Sequence, residues 1–207
     1  MQGSEWVHAW TTLAAEAAHT HREELIELDR AIGDGDHGEN LDRGFTEVRK
    51  ALDGAADDAD AGALLKSTAM TLISKVGGAS GPLLGTAFLR MSGAAKPEMD
   101  GNDAAAMIEA ACVGIQSRGK AEEGEKTMVD AWAPAMRAAK EAADQGKDFG
   151  AVWEAAAEAA ASGAEATRDL VATKGRASYL GERSVGHLDP GAVSSSYILK
   201  AAAKAVA

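Results

Sequence analysis

The stretch Ala155-Ala-Ala-Glu-Ala-Ala-Ala-Ser-Gly-Ala-Glu-Ala166 carries no ring and no β-branched side chain, and its main constituent, alanine, is the best intrinsic helix former. It reads as an ordinary surface helix rather than as low complexity. The same chemistry runs through the whole chain. Alanine makes up about a fifth of the 207 residues and aromatic residues only 4%, and no alternating β-branched run speaks for a sheet. The composition predicts an all-α protein whose core rests on Ala, Leu, Met and a few Trp rather than on large rings, with helices that approach closely.

Apolar spacing at helical period, cut by Gly, Pro and Asp clusters, predicts about eight helices near 4–28, 41–52, 62–74, 81–92, 103–117, 127–144, 148–171 and 191–206. Trp6, Trp10, Leu13 and Ala17 share one face of the first, and Met128, Trp132 and Met136 one face of the sixth. Cys112 lies one turn from Ile108 and Ile115 and reads as buried packing. With no internal repeat and no linker, residues 1–207 form a single domain. Short connections favour antiparallel neighbours, so in an up-and-down arrangement alternate loops gather at one end. The odd-numbered loops are Asp29–Asn40, Lys75–Ser80, Arg118–Lys126 and Ala172–Pro190, and they hold nearly every glycine-rich, chemically suggestive run. The even ones, such as Asp53–Ala61 and Ser92–Asn102, are acidic or Ala/Gly turns. Topology alone therefore converges the candidate residues on one site.

Composition narrows the function classes. Lys and Arg total 21 against 32 Asp and Glu, a formal net charge of -11, and without a Lys/Arg cluster such a chain repels nucleic acid. No apolar run approaches the roughly 18 residues that span a bilayer. Met1 to Trp10 lacks the basic start and apolar stretch of a signal peptide. The single cysteine excludes an internal disulfide, which fits a reducing cytoplasm.

In the first odd loop Asp29, Asp34 and Asp36 have the spacing D-x4-D-x-D. Carboxylates suit hard cations such as Mg²⁺ or Ca²⁺. Two like charges ~4 Å apart repel by roughly 4 kcal/mol at an effective dielectric near 20, so three gathered carboxylates need cations or protons; a solvated acidic turn is the alternative. An EF-hand fails, because its twelfth position, counted from Asp34, is Phe45 instead of Glu. Gly77-Gly-Ala-Ser-Gly81 precedes a predicted helix, with Ser80 as its N-cap, and free amides there would attract phosphate. Gly114-Ile-Gln-Ser-Arg-Gly-Lys-Ala121 imitates a Walker A loop, but Ala121 occupies the hydroxyl position and no strand precedes it. Lys174, Arg176 and Arg183 supply local positive charge. His37 adjoins Asp36 and could ligate, contact a ligand or cap a turn, whereas His187 reads as structural. Carboxylates for cations, glycine-rich backbone for phosphates and arginines for charge together describe a nucleotide site that transfers phosphoryl groups by positioning and electrostatics. Two Mg²⁺ would bring four positive charges against three carboxylates and the roughly three negative charges of a nucleoside diphosphate.

The chain also resembles a known family, the ADP-binding L subunits of dihydroxyacetone kinase. The resemblance rests on Leu28-Asp-Arg-Ala-Ile-Gly-Asp-Gly-Asp-His-Gly-Glu-Asn40, Val76-Gly-Gly-Ala-Ser-Gly-Pro82, Arg118-Gly-Lys120 with Glu125-Lys-Thr-Met128, and Lys174-Gly-Arg-Ala-Ser-Tyr-Leu-Gly-Glu-Arg183 through Gly186-His-Leu-Asp-Pro-Gly191. It implies a closed barrel or bundle of eight antiparallel helices with the nucleotide at one rim. By the same resemblance Asp29, Asp34 and Asp36 hold two Mg²⁺. His37, Gly38, Glu39 and Asn40 adjoin the nucleotide, Ala79 and Ser80 meet the phosphates, and Gly119, Met128, Arg176, Asp189, Pro190 and Gly191 are further ADP or ATP contacts, with Met128 near the adenine. Arg176 neutralises charge during transfer. Glu39 departs from the uncharged residue usual at its place.

The resemblance further implies a separate K subunit that holds dihydroxyacetone, and a phosphotransferase-system subunit, driven by phosphoenolpyruvate, that recharges bound ADP. Other readings are a subunit acting on another short ketose with free ATP, a nucleotide sensor that binds a transcriptional regulator, and a lipid-binding helical barrel without turnover.

Overall fold

The computed structural model describes residues 2–56 and 58–206; Met1, Asp57 within the acidic Asp53–Ala61 loop, and Ala207 lie outside the described residues. It is all-helical. The order is α1 (Gly3–Thr20), α2 (Arg22–Ile32), α3 (His37–Asp53), α4 (Ala61–Lys75), α5 (Ser80–Ser92), α6 (Gly101–Gly119), α7 (Val129–Asp144), α8 (Phe149–Ala166) and α9 (Pro190–Lys204), with 3-10 segments at Thr167–Asp169 and Arg176–Ser184. Among the described residues the nearest approach to a sheet is one isolated bridge, Gln2 with Glu98. No helix is long and apolar enough to cross a membrane.

The expected helix at 4–28 is two helices. The chain bends at His21 (φ -98°, ψ 12°), where Thr20 and His21, both weak helix formers, leave the bend to tertiary contacts. The His21 ring stacks on Tyr197 at 4.0 Å between centroids and bonds Glu24 through Nδ1 at 2.7 Å. Because α2 continues the course of α1, the pair counts as one stave. From α3 to α9 each helix packs on its sequence neighbours, α1 packs on both α3 and α9, and the staves thereby close into a ring. Trp6 Nε1 donates to Ala202 O at 3.0 Å and Trp10 Nε1 to Ile198 O at 2.9 Å. These two bonds join the first stave to the last.

The interior holds the few Trp expected of it and adds three Phe to them. Trp6, Trp10, Phe45, Phe88, Phe149 and Trp153, all buried, form a continuous cluster. Trp10 stacks on Phe88 at 4.8 Å, Trp6 meets Phe149 edge-on at 5.0 Å, and Trp6 and Trp10 lie 5.1 and 5.4 Å from Trp153. Few as they are, the rings gather on the barrel interior, where each buries some 150–250 Å². Alanine serves between the staves instead: Ala156, Ala157, Ala160 and Ala164 give α8 a buried face, so the helix read from the opening stretch is a stave with one side in the core.

The two ends of the barrel are finished differently. At the even end, α4, α6 and α8 are capped by their own aspartates: Asp60 accepts from Ala63 N at 2.7 Å, Asp100 from Asp103 N at 3.0 Å and Asp148 from Ala151 N at 2.9 Å. At the odd end α5 begins after Ala79 with no side-chain cap. Ser80, expected as that cap, is the first helical residue.

Candidate functional site

The N-terminus of α3 is capped from another helix. Asp29, in the last turn of α2 and 9% exposed, accepts through Oδ2 from Asp36 N at 2.9 Å and His37 N at 3.1 Å. One carboxylate oxygen thus folds the turn 33–36 and brings Asp34 and Asp36 beside it. One ligand atom from each of Asp29, Asp34 and Asp36 lies within 4.8 Å of the others. Three hard oxygen donors so close, with a single cation against them, fit a divalent metal of the Mg²⁺ class. That cation is Arg176, whose Nη1 is 2.5 Å from Asp34 Oδ2.

His37 is buried next to this cluster. Its Nε2 is 2.8 Å from Ser194 Oγ and its Nδ1 3.2 Å from Ser80 Oγ, so one ring ties α3, α5 and α9 together. Burial lowers its pKa below the usual histidine range, against the charges of Asp29 and Asp36. A neutral ring donates from one nitrogen and accepts at the other, which suits two hydroxyls. Asn40, one turn on, meets the glycine loop: a Cβ on Gly77 would stand 2.8 Å from Asn40 Oδ1, so glycine alone lets the loop lie there. Arg43 Nη2 donates to the same Oδ1 at 2.5 Å and Arg43 Nε to Lys75 O at 3.2 Å, fastening that loop from below.

These groups enclose a cavity of about 540 Å³, within the ordinary range for a small-molecule site. Asp29, Asp34, Asp36 and His37 line one side, Gly77 to Ser80 the second, Lys174 and Arg176 the third; Leu83, Ile115, Ala121, Met128 and Val129 form an apolar wall. Asn40, Gly119, Asp189, Pro190 and Gly191 also line it. Two expected residues do not. Gly38 sits where a Cβ would collide with the Arg22 carbonyl and so serves the close packing of α3 on α2. The Glu39 side chain is 63% exposed and lies 3.9 Å from Arg22 Nη2. His187 contributes its main-chain carbonyl, which accepts from Lys126 Nζ.

Sequence reasoning missed Arg43, Lys126 and Ser194. Arg43 and Ser194 sit inside helices as unremarkable polar residues, and Lys126 stood in a motif with no role attached. Only the closed ring brings Ser194 to His37, 157 residues away.

Asp189 caps α9, accepting from Ala192 N at 2.7 Å. Burial pushes its carboxyl up to about 7, against the Ala192 amide and Lys126. A carboxyl whose folded pKa lies above its unfolded value keeps its proton longer in the folded chain, so this group costs stability as pH rises from about 4 to about 7. Asp189→Asn, which retains a capping oxygen, is expected to gain on the wild type between pH 5 and pH 8 by about 1–3 kcal/mol. Thermal melts of the ligand-free proteins at the two pH values measure the difference; a gap independent of pH would contradict it.

Comparison with known proteins agrees with this geometry. The DAK2 domain family matches residues 31–204. The chain is 44% identical over 198 residues to the ADP-binding subunit DhaL of PEP-dependent dihydroxyacetone kinase 1 from Listeria innocua, covering 95% of this chain and 94% of that one. It is 45% identical over 193 residues to the corresponding Escherichia coli subunit, covering 92% and 91%. The crystal structure of the dihydroxyacetone kinase from C. freundii in complex with AMP-PNP and Mg²⁺ matches with a TM-score of 0.69 at 26% identity, over 96% of this chain and 33% of that one. The match extends over nearly the whole chain in sequence and in fold, and the chain belongs to the DAK2 domain family.

Proposed function

We propose that this chain, as a single nucleotide-binding domain, is the ADP-binding subunit of a dihydroxyacetone kinase and transfers a phosphoryl group from Mg-bound ATP to dihydroxyacetone held by a separate K subunit. The observation that carries the reading is the convergence on one cavity of three clustered carboxylates, paired at Asp34 with Arg176, and an uncapped helix N-terminus. Asp29, Asp34 and Asp36 would hold the metal. Two Mg²⁺ suit the charge balance, with Arg176 and Lys174 offsetting the remainder. Bound Mg²⁺ supplies neutralisation of the phosphate oxygens as charge shifts between them.

The chain's own groups orient the nucleotide. The amides that open α5 face the phosphate side, where the positive end of the helix dipole favours anions. Leu83, Ile115 and Met128 offer a purine an apolar wall. Arg176, two-thirds exposed and already against Asp34, stands where a guanidinium can meet both metal-bound carboxylate and phosphate. The named activities of the relatives support the acceptor class. The L-erythrulose 1-kinase of Mycolicibacterium smegmatis is 39% identical over 182 residues, and the match covers only 31% of its length, which supports choice of the ketose outside the part that this chain matches. Retention of ADP and its recharging by a phosphotransferase-system subunit are the reading that relatives named PEP-dependent and PTS-dependent support, and a cytoplasmic location agrees with the single buried thiol.

A ligand that binds only the folded state stabilises by mass action. At about a hundred times Kd, MgADP is expected to raise the melting temperature of this 207-residue chain by about 5–10 °C, and EDTA to reverse it. Melting temperatures that ignore both MgADP and EDTA would refute the reading. Denaturing freshly purified protein and chromatographing the supernatant tests retention: released ADP supports the phosphoenolpyruvate-linked form, and its absence favours exchange with free ATP.

A further inference from the structure

Among the described residues Lys126 is the only lysine or arginine that is buried, with 1% of its surface exposed. Its Nζ donates to three main-chain carbonyls, Thr167 O at 2.6 Å, Leu170 O at 3.1 Å and His187 O at 2.5 Å. An ammonium has three N–H donors, and all three are used within the protein. A buried charge is costly unless it is hydrogen-bonded and paired; here three carbonyls take every donor and the charges of Asp189 and Asp130 offset that of the ammonium. The local backbone points the same way: Lys126 has φ 61°, a left-handed conformation uncommon for a residue with a side chain, and it turns the side chain inward.

The three acceptors identify what is being held. Thr167 and Leu170 open the long excursion that leaves α8, and His187 lies on its return to α9. Between them the excursion carries Arg176, and past them it delivers Asp189, Pro190 and Gly191 to the cavity. Neighbouring bonds complete the clasp. Glu125 O accepts from Thr173 N at 3.3 Å, Glu125 Oε1 from Thr173 Oγ1 at 3.2 Å, and Gly186 N donates to Arg168 O at 2.8 Å. Thr167 Oγ1 accepts from Asp189 N at 2.9 Å. Two residues beyond Lys126, Met128 belongs to the apolar wall. The ammonium therefore couples the wall on one side of the cavity to the loop that brings the guanidinium on the other.

We infer that Lys126 is a positioning residue of the nucleotide site: it fixes both stems of the 170–189 excursion, and through them the places of Arg176 and of Asp189 to Gly191. It acts through the carbonyls it holds. The inference rests on the reading of the cavity as a nucleotide site, and its test separates the two.

Full-length wild type, Lys126→Met, Lys126→Gln and Lys126→Arg are compared by calorimetric titration with MgADP and by hydrogen exchange without ligand. Removing the ammonium leaves buried carbonyls unpaired, and MgADP binding is expected to weaken about tenfold to a hundredfold in the Met and Gln variants. Amides of 168–189 should then exchange faster while those of α1 and α5 keep their protection. Arginine, which keeps charge and donors, should restore most of the affinity. The glutamine variant decides the matter should methionine prevent folding. A folded Met or Gln variant that binds MgADP within about threefold of wild type, or an arginine variant as weak as the methionine one, would overturn the inference. Wild type that binds no MgADP would instead refute the nucleotide reading, and the exchange pattern of the ligand-free proteins would then decide whether Lys126 holds the excursion.

Discussion

Asp36→Ala is expected to abolish Mg²⁺-dependent ADP binding, weakening it by more than about a hundredfold, while leaving the melting temperature of the ligand-free chain unchanged. The asymmetry arises from what each aspartate does in the fold. Asp29 caps α3 through Oδ2, so its removal would damage the turn as well as the metal site. Asp34 is paired with Arg176, and deleting it frees a guanidinium that could partly replace the lost interaction with phosphate. The Asp36 side chain is exposed; it lies in the carboxylate cluster and its charge also acts on the adjoining His37. On the proposed metal assignment its loss removes one of three ligand charges without touching a helix cap or an ion pair, and exposed substitutions of that kind change stability by only about 0.5 kcal/mol. Calorimetric titration of Asp36→Ala and Asp36→Asn with ADP, in Mg²⁺ and in EDTA, makes the comparison. Wild-type affinity in Mg²⁺ for either variant would sink the metal assignment, whereas equal, weak binding with and without Mg²⁺ is the result the site requires.

Much of this site could be read from sequence because its parts are backbone chemistry. A glycine run before a helix and aspartates at close spacing mean the same thing wherever the fold puts them, and the alternation of loops was enough to place them at one rim. The bend at His21 was not legible: no Gly or Pro marks it, and it follows from the stacking of His21 on Tyr197, which lies 176 residues on. Trp6 and Trp10 were legible as core, but the extent of the ring cluster was not, for a related reason. Composition counts rings but does not locate them, and nine aromatic residues (4 Trp, 2 Tyr, 3 Phe) look sparse until six of them meet at the centre. Glu39 shows a limit of residue-by-residue carry-over. It sits between cavity-lining His37 and Asn40, yet on a helix three successive side chains diverge by about 100° each, and its carboxylate leaves the site for Arg22.

The isolated chain, given ATP, Mg²⁺ and dihydroxyacetone, is expected to show at most a thousandth, roughly, of the turnover it reaches with a K subunit. Phosphoryl transfer is catalysed mainly by holding donor and acceptor in line, and loss of such positioning forfeits effective molarities on the order of 10⁵ M or more. Here each wall of the cavity has an assignment: carboxylates to metal, the α5 amides and Arg176 to phosphate, the apolar wall to the base. A small neutral triose brings little binding energy of its own, and this reading gives it no wall of the cavity. The acceptor must then arrive on another protein, and the rim is where it must dock. Lys120 and Arg183, both exposed, belong to the same set of odd loops as Arg176, and they are expected near the contact with a K subunit. A coupled assay of the chain alone, and then with a K subunit added, distinguishes the cases. Turnover by the chain alone comparable to that of the mixture would overturn the two-component mechanism. With activity confined to the mixture, Lys120→Glu together with Arg183→Glu should raise the concentration of K subunit needed for half-maximal rate while leaving MgADP affinity unaltered, because those side chains meet the partner and the nucleotide meets the wall behind them.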